Sequence, residues 1–428
     1  MNDILHTIQE ALTEAGISTW RIQQNEVTSA ELFFIRRRLD MRRMKETVKY
    51  PVTVYHAFTK DGKAYLGSSE TTILPAQSKE EILTALREAD YAASFVANPT
   101  YTLPEKLVRE PVEMPSDLSA LPVEAAAMRM AEALFAADTD SRGFINSAEI
   151  FAVKTSSHLL TSWGTDAAYT KYGVRGEFVV QCKEPEDVEI YHNFAYDSLQ
   201  CGALTALAKN ALAQVADRAA AKMALPSGAY RLILSDKHLE ELLSYFTSRT
   251  SVQMVYPGYS PWKVGSDVQG TLDGGEPIQL TLHATLPFSA EGIPMQDRTV
   301  IENGTVCLLH GDARLSSYLG VPATGTYRAM QCGNGTVSFA SMKEEPYLYP
   351  VTFSDFQMDP MNGHFGGEIR LAYYFDGEQT HIITGGSVNG SITDCAGQLR
   401  FSLERYDRES YHGPFAVSIP NVKVAGTV

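Results

Sequence analysis

The chain has no HExxH, no GxSxG and no GxxxxGK anywhere in its 428 residues. Those absences remove the usual zinc-protease helix, the serine-hydrolase elbow and the phosphate loop. Its five cysteines, Cys182, Cys201, Cys307, Cys332 and Cys395, are odd in number and scattered, with no CxxC pair. They read as free thiols in a reducing compartment. No stretch approaches the roughly 18 apolar residues of a membrane span. The opening MNDILHTIQEALTEAG carries acidic residues and no sustained apolar run, so it reads as an amphipathic first helix and not as a signal peptide. The cytoplasm is therefore the expected location. Positive charge is also short: 36 Lys and Arg stand against 51 Asp and Glu, a net charge of -15. Phosphate binding needs clustered cations with little competing negative charge, so a nucleic-acid partner is not expected.

What is present describes a globular protein, 44% hydrophobic and 20% charged. The chain is too long for one ordinary core, and two domains of roughly 200 residues are expected. Pro226-Ser227-Gly228 is the best boundary, giving domains 1-225 and 226-428. The first half alternates helix and strand. WRIQQNEV, ELFFIRRRL, YPVTVYHAF and KAYLGSSE read as strands, the last two joined by a turn at Asp61-Gly62. Helices follow over 78–95, at VEAAAMRMAEALFAA and over 199–223, with strands at SAEIFAVKTS, LLTSWG, AAYTKYGVRGEFVVQ and VEIYHNFAY between the last two. Residues 98–122, with five prolines, read as a long surface connection. The second half is rich in Gly, Thr, Val and aromatic residues, with strands at PIQLTLHATL, TVIENGTVCLLHG, YPVTFSDFQM, GEIRLAYYFDG and HIITGGSV. The fold class expected is α+β: an N-terminal α/β domain with a curved mixed sheet and helices, then a mainly antiparallel β domain curled toward a barrel, with a few helices.

One helix carries the functional question. In LILSDKHLEELLSYFTSR, a short apolar strand ends at Leu234, Ser235 or Asp236 can cap, and Leu239, Leu242, Leu243 and Phe246 mark one helical face. A helix is the usual platform for a metalloprotease, because two histidines on it share one ion while an adjacent glutamate activates the bound water. Here the side chains in the last turns are Ser244, Tyr245 and Arg249, and an arginine stays protonated and repels a divalent cation. His238 and Glu241 at i and i+3 offer two ligands without a third, and read as a solvated surface pair.

Other patterns are decoys by the same reasoning. Asp138 to Glu149 places Asp138, Asp140 and Glu149 at the first, third and twelfth positions of a calcium loop, with Gly143 at the sixth. Arg142 at the fifth forfeits an oxygen, and a strand follows where an exit helix is required, so an acidic turn is the better reading. The basic run Arg36, Arg37, Arg38, Arg42, Arg43 and Lys45 reads as the solvent-facing side of a strand. His310 with Asp312, His364 with Glu368, and His381 could in principle converge in the second domain, but such spacings arise by chance among ten histidines, and no metal or cofactor is expected in this chain.

A resemblance sharpens this. Glu291-Gly292-Ile293-Pro294, Val300-Ile301-Glu302-Asn303-Gly304, Ala313, Leu319-Gly320 and Thr324-Gly325 resemble the signature region of the TldD/PmbA family, also known as modulators of DNA gyrase, and IPNVKVAGTV resembles its closing strand. The resemblance implies two domains, commonly a dimer, and in TldD-type members an HExxxH zinc motif on the helix after the first strand of the second domain, with a cysteine near the C-terminus as a further ligand. Laid without gaps on this sequence from Leu232, the motif positions fall on Ser244, Tyr245 and Arg249, and the cysteine's place falls near Leu399 to Phe401, with Cys395 several residues early. The resemblance therefore implies a PmbA/TldE-like chain. It would be a non-catalytic subunit of a cytoplasmic metalloprotease assembly in which a TldD-type partner supplies zinc and the substrate is a peptide or unfolded segment. A stand-alone homodimeric peptide-binding or scaffold protein is the alternative. An enzyme with a relocated site among Ser244, Tyr245, His238 or the second-domain histidines is the third. Nothing in the residues supports contact with gyrase.

Overall fold

The computed structural model describes residues 4–139 and 142–427. The first half is built on one seven-stranded sheet with helices on one face. Its strands are β1 (Trp20–Ile35), β2 (Arg38–Lys60), β3 (Lys63–Ile73), β4 (Val108–Glu113), β5 (Gly143–Thr161), β6 (Asp166–Cys182) and β7 (Val188–Tyr196). The order is β3-β2-β1-β5-β6-β4, with β7 also on β6, and the sheet curls into a half-barrel. Every pairing is antiparallel except β4 on β6, which makes the sheet mixed.

The burial pattern follows strand periodicity. Ile22, Ala30, Leu32 and Phe34 of β1 and Ala148, Ile150 and Ala152 of β5 alternate along their strands and face the helices. Helices α1 (Ile4–Glu14) and α2 (Lys79–Ala93) cover one end of this face, and α3 (Val123–Phe135) and α4 (Cys201–Ala220) the other. Ser78 caps α2 in a reciprocal capping box with Glu81.

Several expected boundaries shift. The segments read as two strands around Val27 form one 16-residue strand, because Thr28, Ser29 and Ala30 are held by ladders on both sides, to β2 and to β5. SAEIFAVKTS and LLTSWG likewise merge into β5. The 98–122 connection contains β4 and a short 3-10 turn over Asp117–Ala120, which its prolines conceal. The basic run does not alternate. Arg36 and Arg37 make the β1–β2 turn, residues 38–46 are exposed throughout, and the cations find local partners: Arg36 over the Phe144 ring, Arg42 with Glu124 and Arg43 with Glu31.

All later strands belong to two further sheets. The first five of interest are β8 (Gly228–Ser235), β9 (Leu280–His283), β10 (Arg298–Glu302), β11 (Thr305–Val306) and β12 (Ala329–Cys332). They are followed by β13 (Tyr347–Met358), β14 (His364–Phe375), β15 (Thr380–Ile383), β16 (Ser387–Ser391), β17 (Arg400–Phe401), β18 (Arg405–Arg408), β19 (Tyr411–Pro414) and β20 (Ala416–Ala425). Pairing runs β13-β8-β20-β16-β14 and returns from β14 to β13, so five strands close a barrel and leave no free edge within the ring. The other sheet, β11-β10-β9-β12-β19-β18, lies beside it. The Asn303-Gly304 turn between β10 and β11 has φ of 50° and 70°, the left-handed geometry that this dipeptide favours in a two-residue hairpin. Helix α5 (Asp236–Arg249) follows β8 and buries Leu239, Leu242, Leu243 and Phe246 in the second-half core with Leu232, Leu234 and Leu348. The short helices α6 (Val252–Val255), α7 (Ala313–Leu319) and α8 (Ile392–Cys395) complete the half. Among the described residues no helix is long and apolar enough to cross a membrane.

Candidate functional site

The last turns of α5 separate into a cleft side and a core side. Ser244 is half-buried, lines a cavity of about 490 Å³ and donates its hydroxyl back to the Glu241 carbonyl at 2.6 Å. Tyr245 and Arg249 point the other way, and both are buried. Tyr245 packs edge-on against Trp262, with ring centres 5.6 Å apart. Arg249 lays its guanidinium over the same two rings, 5.5 Å from the centre of Tyr245 and 5.3 Å from that of Trp262. Its Nη1 donates to the carbonyls of Pro360 at 3.1 Å and Met361 at 3.0 Å. The charge is thus used to hold a loop against the helix, an arrangement that suits a planar five-donor group.

That loop fills the space between α5 and α8. A Cβ placed on Gly363 would lie 3.2 Å from Thr393 and 3.4 Å from Tyr245, so the helix and the start of α8 meet across it. Cys395, on α8, is buried and donates to the Ser391 carbonyl at 3.2 Å; burial pushes its thiol up to about 12. It is an inert packed thiol, not an activated ligand.

His238 corrects the expectation of a solvated pair. Its ring is 5% exposed and stands edge-on to Phe353 at 4.9 Å and Phe356 at 5.4 Å. Burial, with a smaller contribution from Lys237, lowers its pKa to about 3, so it is neutral. Glu241 turns instead to the Met358 amide, at 3.4 Å. At the start of α5, Asp236 has φ of 53°, and burial raises its carboxyl to about 6.

The remaining candidates stay apart. His310 donates Nε2 to the Thr247 carbonyl at 2.9 Å, whereas Asp312 caps α7 by accepting from the Leu315 amide at 2.8 Å. His364 is exposed while Glu368 pairs with Arg370 at 3.1 Å, and His381 pairs with Asp376 at 2.8 Å on the β14–β15 hairpin. In the calcium-loop reading, Asp140 lies outside the described residues. Asp138 pairs with Arg37 at 3.4 Å, and Glu149 sits opposite Glu177 well inside β5. Six extended residues, about 20 Å, separate Glu149 from Gly143, so this twelve-residue stretch does not wrap one ion. Among the described residues no group of three or more His, Cys, Asp or Glu converges as a metal cage.

What the chain does build is a run of three adjoining cavities, two of them between the first-half sheet and the second half. The α5 cavity shares Thr326, Tyr327 and Arg328 with a neighbour of about 450 Å³, which in turn shares Lys171, His283 and Thr285 with a third of about 450 Å³. Leu159, Tyr169 and Lys171 form the first-half wall of the middle part. The opposite wall is knitted from the 291–325 segment: Glu291 accepts from the Ala313 amide at 3.0 Å, and Gly311 donates to Thr324 Oγ1 at 3.0 Å. Burial raises the Glu291 pKa. Sequence reasoning missed Lys171, His283, Tyr327, Arg328 and His412 as cleft residues, because they come from separate strands and coil with no motif linking them.

The fold defines an α+β protein with a curled half-barrel sheet and a closed five-strand β-barrel, whose helix α5 buries Tyr245 and Arg249. Residues 227–426 match the family model described as the PmbA/TldA metallopeptidase C-terminal domain. The second half of the chain is therefore similar to the C-terminal domain of the TldD/PmbA family. Its whole length is similar in fold to TldE from Thermococcus kodakarensis, with a TM-score of 0.78 at 16% identity, covering 98% of this chain and 100% of that one. A protein from Thermotoga maritima that carries the name modulator of a DNA gyrase gives a TM-score of 0.78 at 16% identity, covering 99% and 100%. A similarly named protein from Bacteroides thetaiotaomicron gives 0.74 at 16% identity, covering 100% and 99%. No curated protein matches the chain in sequence.

Proposed function

We propose that this chain is a non-catalytic, TldE-like subunit of a cytoplasmic metalloprotease assembly, in which a TldD-type partner supplies zinc, water and general base. The observation that carries the reading is the fate of the three positions that align with HExxxH. Ser244 has no ionisable group, Tyr245 packs in the core, and Arg249 is committed to the Pro360 and Met361 carbonyls. A fixed guanidinium there opposes a second cation at the same place. The chain's own contribution is the cleft. Its walls offer apolar and polar groups along three linked cavities, which suits an extended peptide better than a compact small molecule.

The test is co-expression with the nearest HExxxH-bearing paralogue, followed by size analysis and casein or peptide cleavage. The expected result is a mixed complex that cleaves, with neither chain active alone. Cleavage by this chain in isolation would overturn the reading.

A further inference from the structure

We propose that His283 and His412 form a two-imidazole site for a divalent transition-metal ion of the zinc class, in the cleft and away from α5. The strands place the two rings together. His283 on β9 is the register partner of Ala329 on β12, and His412 on β19 is the partner of Gln331, two residues further along the same strand. Residues two apart share a face, so both imidazoles project from one side of the sheet. Their ring centres are 5.2 Å apart with the planes at 81°. Two imidazole nitrogens bound tetrahedrally at about 2.0–2.1 Å to one ion bring their ring centres to about 5 Å, so the spacing already matches.

Each ring also has a carboxylate at its Nδ1. His283 Nδ1 lies 3.0 Å from Asp297 Oδ1 and His412 Nδ1 lies 3.2 Å from Asp407 Oδ1. A carboxylate only accepts, so each Nδ1 carries the proton and each Nε2 presents its lone pair. His283 Nδ1 also lies 3.1 Å from Gln331 Nε2; a half-turn of that amide exchanges its nitrogen and oxygen, and the tautomer that bonds Asp297 selects the form with the oxygen toward the ring. A carboxylate behind each ligating histidine is the usual support of such sites. The side chains are 30% and 31% exposed, and both line a cavity of about 450 Å³, leaving the other coordination positions to water. His158 and His381 also pair with an aspartate, but neither has a second imidazole beside it. The site does not depend on the peptidase reading, and the two fail separately.

The experiment uses untagged, chelator-stripped full-length chain titrated with Zn²⁺ by calorimetry, with Co²⁺ absorption and histidine proton NMR on the same protein. One ion per chain with micromolar affinity is expected, perturbing two of the ten histidine rings. His283→Ala and His412→Ala each weaken binding by about tenfold or more, and Asp297→Asn or Asp407→Asn by about tenfold, while His381→Ala changes nothing. The wild-type NMR readout stands even where a variant folds poorly. Absence of saturable binding in the wild type overturns the proposal, as does unchanged binding in a folded His283→Ala/His412→Ala double variant.

Discussion

The Arg249 guanidinium lies 5.3 Å from the centre of the Trp262 ring while its Nη1 holds the Pro360 and Met361 carbonyls. One side chain therefore joins α5, the segment after α6 and the loop before β14. Arg249→Met keeps much of the apolar volume and removes the two charged hydrogen bonds, each contributing about 1.5–3 kcal/mol. Urea unfolding is expected to show a loss of about 2–4 kcal/mol, and hydrogen exchange over residues 359–363 to accelerate. Ser244→Ala, at the cleft side of the same helix, is expected to cost under about 1 kcal/mol. Equal stabilities for the two variants would contradict the role given to Arg249.

His238 makes the fold acid-sensitive. Its folded pKa of about 3 lies below the 6.5 of an ordinary histidine, so the unfolded chain takes up the proton first as pH falls. The stability it contributes is whole above pH 6.5 and drains as pH falls toward 3, at up to about 1.4 kcal/mol per pH unit. His238→Leu is expected to lose about 2 kcal/mol less than wild type between pH 7 and pH 5 in urea titrations. His192, lowered to about 4 by burial, continues to contribute in both proteins.

Asp236 acts in the opposite direction. Its folded pKa of about 6 lies above the ordinary 3.8, so the folded chain holds a proton that the unfolded chain has released. Its contribution is complete below pH 3.8 and lost as pH rises through 6. Asp236→Asn removes the charge and tolerates the φ of 53°. The variant is expected to be more stable than wild type by about 2 kcal/mol at pH 8 and equal to it at pH 4, read from paired unfolding curves.

Much of this architecture is legible in the residues, and the exceptions have physical causes. The periodicity of Leu239, Leu242, Leu243 and Phe246 specifies α5, and Asn303-Gly304 specifies a hairpin, because both signals are local. Val188–Tyr196 is a strand with the bounds its alternation gives. Strand β4 is hidden because Pro111 and three charged residues make a poor strand by composition, yet its parallel ladder to β6 holds it. His238 misleads because its polarity suggests solvent, while Phe353 and Phe356 arrive from β13, more than a hundred residues later. That Ser244, Tyr245 and Arg249 take the motif positions is what the resemblance implies from the sequence alone. The division of Ser244 to the cleft and Arg249 to the core is not legible there, because it depends on where the 359–363 loop docks.

The central claim is that chemistry in the assembly belongs to the partner and the cleft to this chain. It is tested most directly by cleavage assays on the co-expressed complex with one chain altered at a time. Substituting glutamine for the glutamate of the partner's HExxxH is predicted to abolish cleavage, while Ser244→Ala and Tyr245→Phe in this chain leave at least about half the rate. Retained cleavage with the partner's glutamate removed, or its loss with Ser244→Ala in a folded complex, would contradict the account.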